Sequence, residues 1–145
     1  MPERLWAPWR FAYIEKAGEK GPCIFVDLPN EKDDRKNLIV HRGKHAFVML
    51  NAFPYTSGHV MVAPFKHTAS MDDLSDEELL EIQKLIRASV RWIKEAYKPE
   101  GFNLGANLGR TAGARCDKPG AQRKSSQQSI RFIVACPGFI LIGRI

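Results

Sequence analysis

Residues 38–64 read LIVHRGKHAFVMLNAFPYTSGHVMVAP. Three short apolar runs stand in this stretch: Leu38–Val40, Ala46–Leu50 and His59–Ala63. Arg42-Gly43-Lys44-His45 separates the first two; Asn51, Pro54 and Thr56-Ser57-Gly58 separate the second two, and Pro64 closes the third. Short apolar runs joined by a few turn-forming residues predict consecutive strands of an antiparallel meander.

Downstream, the period changes. Ser75 is a good N-cap, and Glu78 three residues on completes a capping box. Leu79, Ile82, Ile86, Val90, Ile93 and Tyr97 recur at three- and four-residue steps, with Leu85 beside them. This pattern predicts one amphipathic helix from about Ser75 to Tyr97, stopped by Lys98-Pro99 and covering one face of the sheet. Phe102–Asn107, within Gly101–Gly109, predicts a further strand with small residues where something must approach closely. Upstream, Cys23–Val26 fits a strand and Asp27–Lys36 a polar turn. Arg10–Ala17 fits a short helix ended by Gly18, Gly21 and Pro22.

At 145 residues, with 44% hydrophobic and 26% charged side chains, the chain has the length and composition of one globular domain rather than a disordered segment. No apolar run approaches the ~20 residues of a membrane-spanning helix. The opening MPERLWAPWR has charges where a signal peptide would be apolar, so the cytoplasm is the expected location. Three cysteines, Cys23, Cys116 and Cys136, are too few and too scattered for a disulfide framework.

The net charge of +6 is unevenly placed. Residues 115–145 hold Arg115, Lys118, Arg123, Lys124, Arg131 and Arg144 against Asp117 alone, which is +5; the rest of the chain is +1. The chain divides accordingly into residues 1–114 and a tail, 115–145, that is basic first and apolar later. Basicity confined to a tail argues weakly for nucleic acid, and only Phe132 and Phe139 there offer rings for base stacking.

Four histidines, His41, His45, His59 and His67, all lie before the helix. His59 opens a strand, His67 follows Pro64, and His41 and His45 flank a turn. No P-loop, H-E-x-x-H or Ser/His/Asp order is spelled, and the glycines of Gly105–Gly113 lack dinucleotide-binding spacing. Val26 stands where a second cysteine would pair with Cys23, so no metal is expected. Asn51 and Asn107 are strand-end amides, suited to ribose or phosphate oxygens or to closing their own turns.

Several of these segments, in order, resemble one branch of the histidine triad (HIT) family, that of diadenosine polyphosphate hydrolases and phosphorylases. They are Leu5–Arg10, Cys23–Phe25, Leu50–Tyr55, Gly58–Pro64 with His67, and Gly101–Gly109 followed by Ala112–Ala114. The resemblance runs from about Leu5 to Ala114. It implies an α+β fold with a five-stranded antiparallel sheet, usually dimerised. It also implies a nucleoside phosphate or dinucleoside polyphosphate as substrate. In the family a histidine attacks the α-phosphorus, and water or phosphate resolves the nucleotidyl-histidine. That histidine sits in an H-x-H-x-H strand, whose alternate residues share one face.

Residue by residue, Ile24, Phe25 and Leu28 match base-pocket positions, Asn51 the ribose position, and Asn107 an amide near the α-phosphate. His59 matches a histidine that supports the triad. Cys23 matches the first zinc cysteine of metal-binding relatives, a pair that Val26 breaks. The triad itself should follow Ala114. The chain reads Arg115-Cys116-Asp117-Lys118-Pro119-Gly120 there, and no histidine appears from that point to Ile145. No residue inherits the nucleophile's role.

The expectation is a nucleotide-processing protein by descent, inactive as written, homodimeric, with no cofactor. The alternative is a non-catalytic nucleotide-binding or nucleic-acid-binding protein. Residues 115–129 are too polar for the central place of the triad strand. Ile130–Ala135 or Phe139–Ile142 has the β-forming character to pair there; otherwise the sheet edge stays open.

Overall fold

A computed structural model describes residues 23–54, 58–108 and 131–135. The readings made on 1–22, including the Arg10–Ala17 helix, and on 109–130 and 136–145 lie outside the described residues. The described elements run α1 (Asp27–Asn30), β1 (Ile39–Arg42), β2 (Ala46–Leu50), β3 (Val60–Pro64), a 3-10 turn (Met71–Asp73), α2 (Asp76–Tyr97), β4 (Asn103–Asn107) and β5 (Arg131–Ala135). The five strands form one antiparallel sheet in the order β1-β2-β3-β5-β4. This is the α+β architecture that the meander and the helical period predict.

β1, β2 and β3 arise from the three runs of residues 38–64, each within two residues of its expected bounds. The sheet separates two apolar layers because side chains alternate across a strand. On one face, α2 lays Ile82, Leu85, Ile86 and Ile93 over Ala46, Val48, Val60, Val62, Phe132 and Val134. On the other, Phe47, Met49, Met61 and Ala63 pack with Cys23, Phe25 and Ile39.

The start of α2 forms as its sequence dictates. Ser75 Oγ accepts from the Glu78 amide at 3.3 Å, and Glu78 Oε2 accepts from the Ser75 amide at 2.8 Å. Those bonds satisfy two donors that a helix N-terminus otherwise leaves without partners. Lys98 ends the helix in the left-handed region, at φ 47°. One face of α2 also reaches the β1–β2 turn: both Glu81 carboxylate oxygens accept from the His45 amide at 3.1 Å. Gly43 makes that approach possible, since a Cβ there would run into the Glu81 carboxylate.

Two expectations change. Cys23–Val26 is not a strand: the Val26 and Asp27 amides both donate to the Cys23 carbonyl, turning the chain into α1. A four-residue apolar run has no period to separate strand from turn, and Cys23 and Phe25 are buried either way. The open-edge alternative is also replaced. β5 is drawn from the apolar part of the tail, Ile130–Ala135, and it takes the central place between β3 and β4. Phe132 and Val134 of β5 join the core under α2.

Candidate functional site

The positions picked out by resemblance fall at two ends of the sheet. At one end, the Asn51 amide donates to the His59 carbonyl at 3.1 Å, and Asn51 Nδ2 lies 3.4 Å from both ring nitrogens of His59. Asn51 Oδ1 accepts from the Phe53 amide at 2.9 Å, so this side chain does close its own turn. His59 is buried. Both residues line a cavity of about 480 Å³ beside the C-terminal half of α2, together with Val40, Leu50, Trp92 and Tyr97. The His41 ring meets Trp92 there, with centroids 5.6 Å apart. The cavity is largely apolar and aromatic, with Asn51 and His59 as polar groups at its wall, a lining suited to a flat ring bearing a few polar atoms.

At the other end lies Phe25. It is buried among Phe47, Met49 and Met61, and the guanidinium of Arg131 stands over its ring at 5.8 Å. Arg131 pairs directly with Asn107 across β4 and β5. Residues directly opposite in an antiparallel pair share a face, so Arg131, Asn107 and Phe25 come together. Ile133 pairs with Met61 and completes the same face of β5. Val60 pairs with Val134 and Val62 with Phe132, which sets Arg131 toward the Pro64 end of β3 and His59 at the other. At ~3.3 Å per residue the two ends are separated by roughly 13 Å.

The loop carrying Phe25 and Leu28 is firmly tied to β1. Asn37 Nδ2 donates to the Leu28 carbonyl at 3.0 Å and to Glu31 Oε2 at 3.1 Å. Arg42 donates to both Asp34 carboxylate oxygens and, at 2.8 Å, to the Pro29 carbonyl. The hydrogen bonds from Arg42 hold the Asp34 carboxyl below the usual carboxylate range. Leu28 is half-buried at the margin of the second core, and Ile24 is 40% exposed.

Cys23 is disulfide-bonded, a pairing its scattered spacing did not announce, and its sulfur lies 3.7 Å from His67 Nε2. Among the described residues no group of three metal-binding side chains gathers.

Arg131 is the residue beside Phe25 and Asn107 that sequence reasoning did not place there. It entered only as part of the tail's charge. Its alternation with Ile133 in the run RFIVA is the signal that would have placed it on the Phe25 face.

A family model of the HIT domain matches residues 32–117. An AP-4-A phosphorylase of Mycobacterium tuberculosis is 37% identical over 119 residues, which span 77% of this chain and 60% of that protein. An adenosine 5'-monophosphoramidase of Schizosaccharomyces pombe is 34% identical over 90 residues, 62% of this chain and 63% of that one. The chain thus spans less than two thirds of the length of either relative. Among solved structures, a histidine triad nucleotide-binding protein of Sulfolobus tokodaii superposes with a TM-score of 0.59 at 24% identity, covering 85% of this chain and 76% of its own. That likeness is one of fold.

Proposed function

Because the chain belongs to the HIT domain family, we propose that it binds a nucleoside phosphate or dinucleoside polyphosphate and, as written, turns it over weakly or not at all. One observation carries the second half of this reading. β5, the strand between β3 and β4, reads Arg131-Phe132-Ile133-Val134-Ala135 and holds no imidazole. Nucleotidyl transfer through the protein needs a side chain that attacks phosphorus and is regenerated. None of the four histidines lies on β5: the His41 ring meets Trp92 at a tilt of 55°, the His45 amide is held by Glu81, His59 meets Asn51 and His67 meets Cys23. Relatives that act on AP-4-A or on adenosine 5'-monophosphoramidate support the nucleotide as ligand.

Ile24, Phe25 and Leu28 are assigned to the base, Asn51 to ribose and Asn107 to the phosphate side, with His59 in support. A homodimer belongs to the same reading. β4 is an outer strand of the sheet, Leu104 is 56% exposed on it, and Leu108 just beyond is exposed too. A second copy laid against that edge would pair its backbone groups. No helix among the described residues is long and apolar enough to cross a membrane. Residence in the cytoplasm completes the reading. Cytosolic thiols are kept reduced, so it requires the Cys23 bond to be open in the cell.

The test is turnover of diadenosine tetraphosphate beside calorimetric binding of AMP on the full chain. Binding with turnover near background is expected, because losing a cooperating catalytic unit costs most of the rate. Robust turnover abolished by His59→Ala would show that a nucleophile is present after all.

A further inference from the structure

We propose that Arg131 is the phosphate-holding residue of this chain, a fixed cation standing on the strand where an H-x-H-x-H protein would present imidazoles. The inference rests on the nucleotide-binding reading and adds what that reading lacks, a partner for the ligand's negative charge.

Three observations meet at this residue. First, β5 lies between β3 and β4, so side chains on its Phe25 face have a strand on either side. Arg131 and Ile133 are that face. Second, Asn107 is directly opposite Arg131. Cross-strand partners hold their Cβ atoms about 5 Å apart, which lets a guanidinium and an amide donate to one phosphate group together. Third, the guanidinium stands over the buried ring of Phe25. A ring below a guanidinium stabilises the cation while leaving its N–H groups directed in its own plane.

The chemistry separates this role from catalysis. An arginine stays protonated at any working pH, so it has no lone pair with which to attack phosphorus. Its planar fork of donors matches phosphate oxygens in the ground state. Interactions equally strong in ground and transition states tighten binding without raising turnover. Arg131 therefore makes the site a holder of nucleotides.

The experiment compares adenosine and AMP by calorimetry on the full chain and on Arg131→Gln and Arg131→Lys. The wild-type chain should bind AMP about tenfold or more tightly than adenosine, the fold-change of one charge-assisted hydrogen bond. That gap should narrow between about 0.05 M and 0.5 M salt. Arg131→Gln should close the gap with adenosine affinity unchanged, and Arg131→Lys should restore part of it. A gap that persists in Arg131→Gln, or an equal loss for adenosine, overturns the assignment while nucleotide binding stands. A wild-type chain that binds both ligands with no gap overturns it without recourse to any variant. A wild-type chain that binds neither ligand removes the nucleotide-binding reading and this one with it.

Discussion

β3 and β4 are five-residue strands that flank the same neighbour, β5. All of Val60–Pro64 is buried. In β4 only Asn107 is even half-buried, and Asn103 to Ala106 are exposed. The contrast follows from composition. Val60-Met61-Val62-Ala63 is apolar at every position, as a strand with a layer on each face must be. Asn103-Leu104-Gly105-Ala106-Asn107 offers one large side chain, and that one faces water. The β2–β3 pair holds the molecule together, while β4 keeps its backbone within reach of a ligand or a second chain.

The contrast can be broken most directly by two substitutions. Phe47 on β2 is fully buried, so Phe47→Ala should cost about 3–5 kcal/mol in urea unfolding. Leu104→Ala on β4 should change stability by no more than about 0.5 kcal/mol. A comparable loss at Leu104, growing with protein concentration, would mean that a second copy covers β4. Next in size is the start of α2, the cover of the β2–β3 face. Ser75→Ala should cost about 1 kcal/mol by removing the acceptor for the Glu78 amide, as read from the thermal midpoint. An unchanged midpoint would show that α2 is held by its apolar face alone.

The smallest effect is expected on acidification. The folded carboxyls of Asp34 and Glu78 are both held below their ordinary values, Asp34 by hydrogen bonds from Arg42 and Glu78 by the Ser75 amide. A depressed folded pKa gives stability that is complete above the unfolded value, about 4, and is lost as pH falls through the folded one. Both groups are open to solvent, so the loss should be modest and should shrink in high salt. Asp34→Asn should flatten the dependence of the midpoint below about pH 4; an equally steep curve would place the acid sensitivity elsewhere.

What the sequence disclosed was local. Ser75, Glu78 and the three- and four-residue steps after them sit within one helix, so α2 could be read almost to the residue. The runs at 39–42, 46–50 and 60–64 are bounded by their own turns, so β1 to β3 could be read too. The features that escaped depend on pairings between distant segments. Whether 130–135 or 139–142 would enter the sheet is decided by which run fits between β3 and β4, and both have strand character. That Arg131 would meet Phe25 follows from the β3–β5 register, which no window of sequence contains. Glu81 gripping the His45 amide is of the same kind. The cavity beside Trp92 and Tyr97 also escaped: periodicity assigns Tyr97 to the covered face, but it lines that cavity and is half exposed. At the candidate site, residues matched by motif were legible as identities, and their division between two ends of the sheet was not.

The position of β5 also has a consequence in time. Among the described strands, β4 is joined to the sheet only through β5, and β5 follows β3 by more than sixty residues. As the chain leaves the ribosome, β1, β2, β3 and α2 can assemble from near neighbours in sequence, while β4 waits for the segment that anchors it. Contacts between distant segments form slowly because the loop between them must first be closed. Until residues 131–135 arrive, β3 has one bare edge. The apolar side chains of β3 that face α2 then lack Phe132 and Val134 beside them, a state in which a second growing chain could take the vacant place.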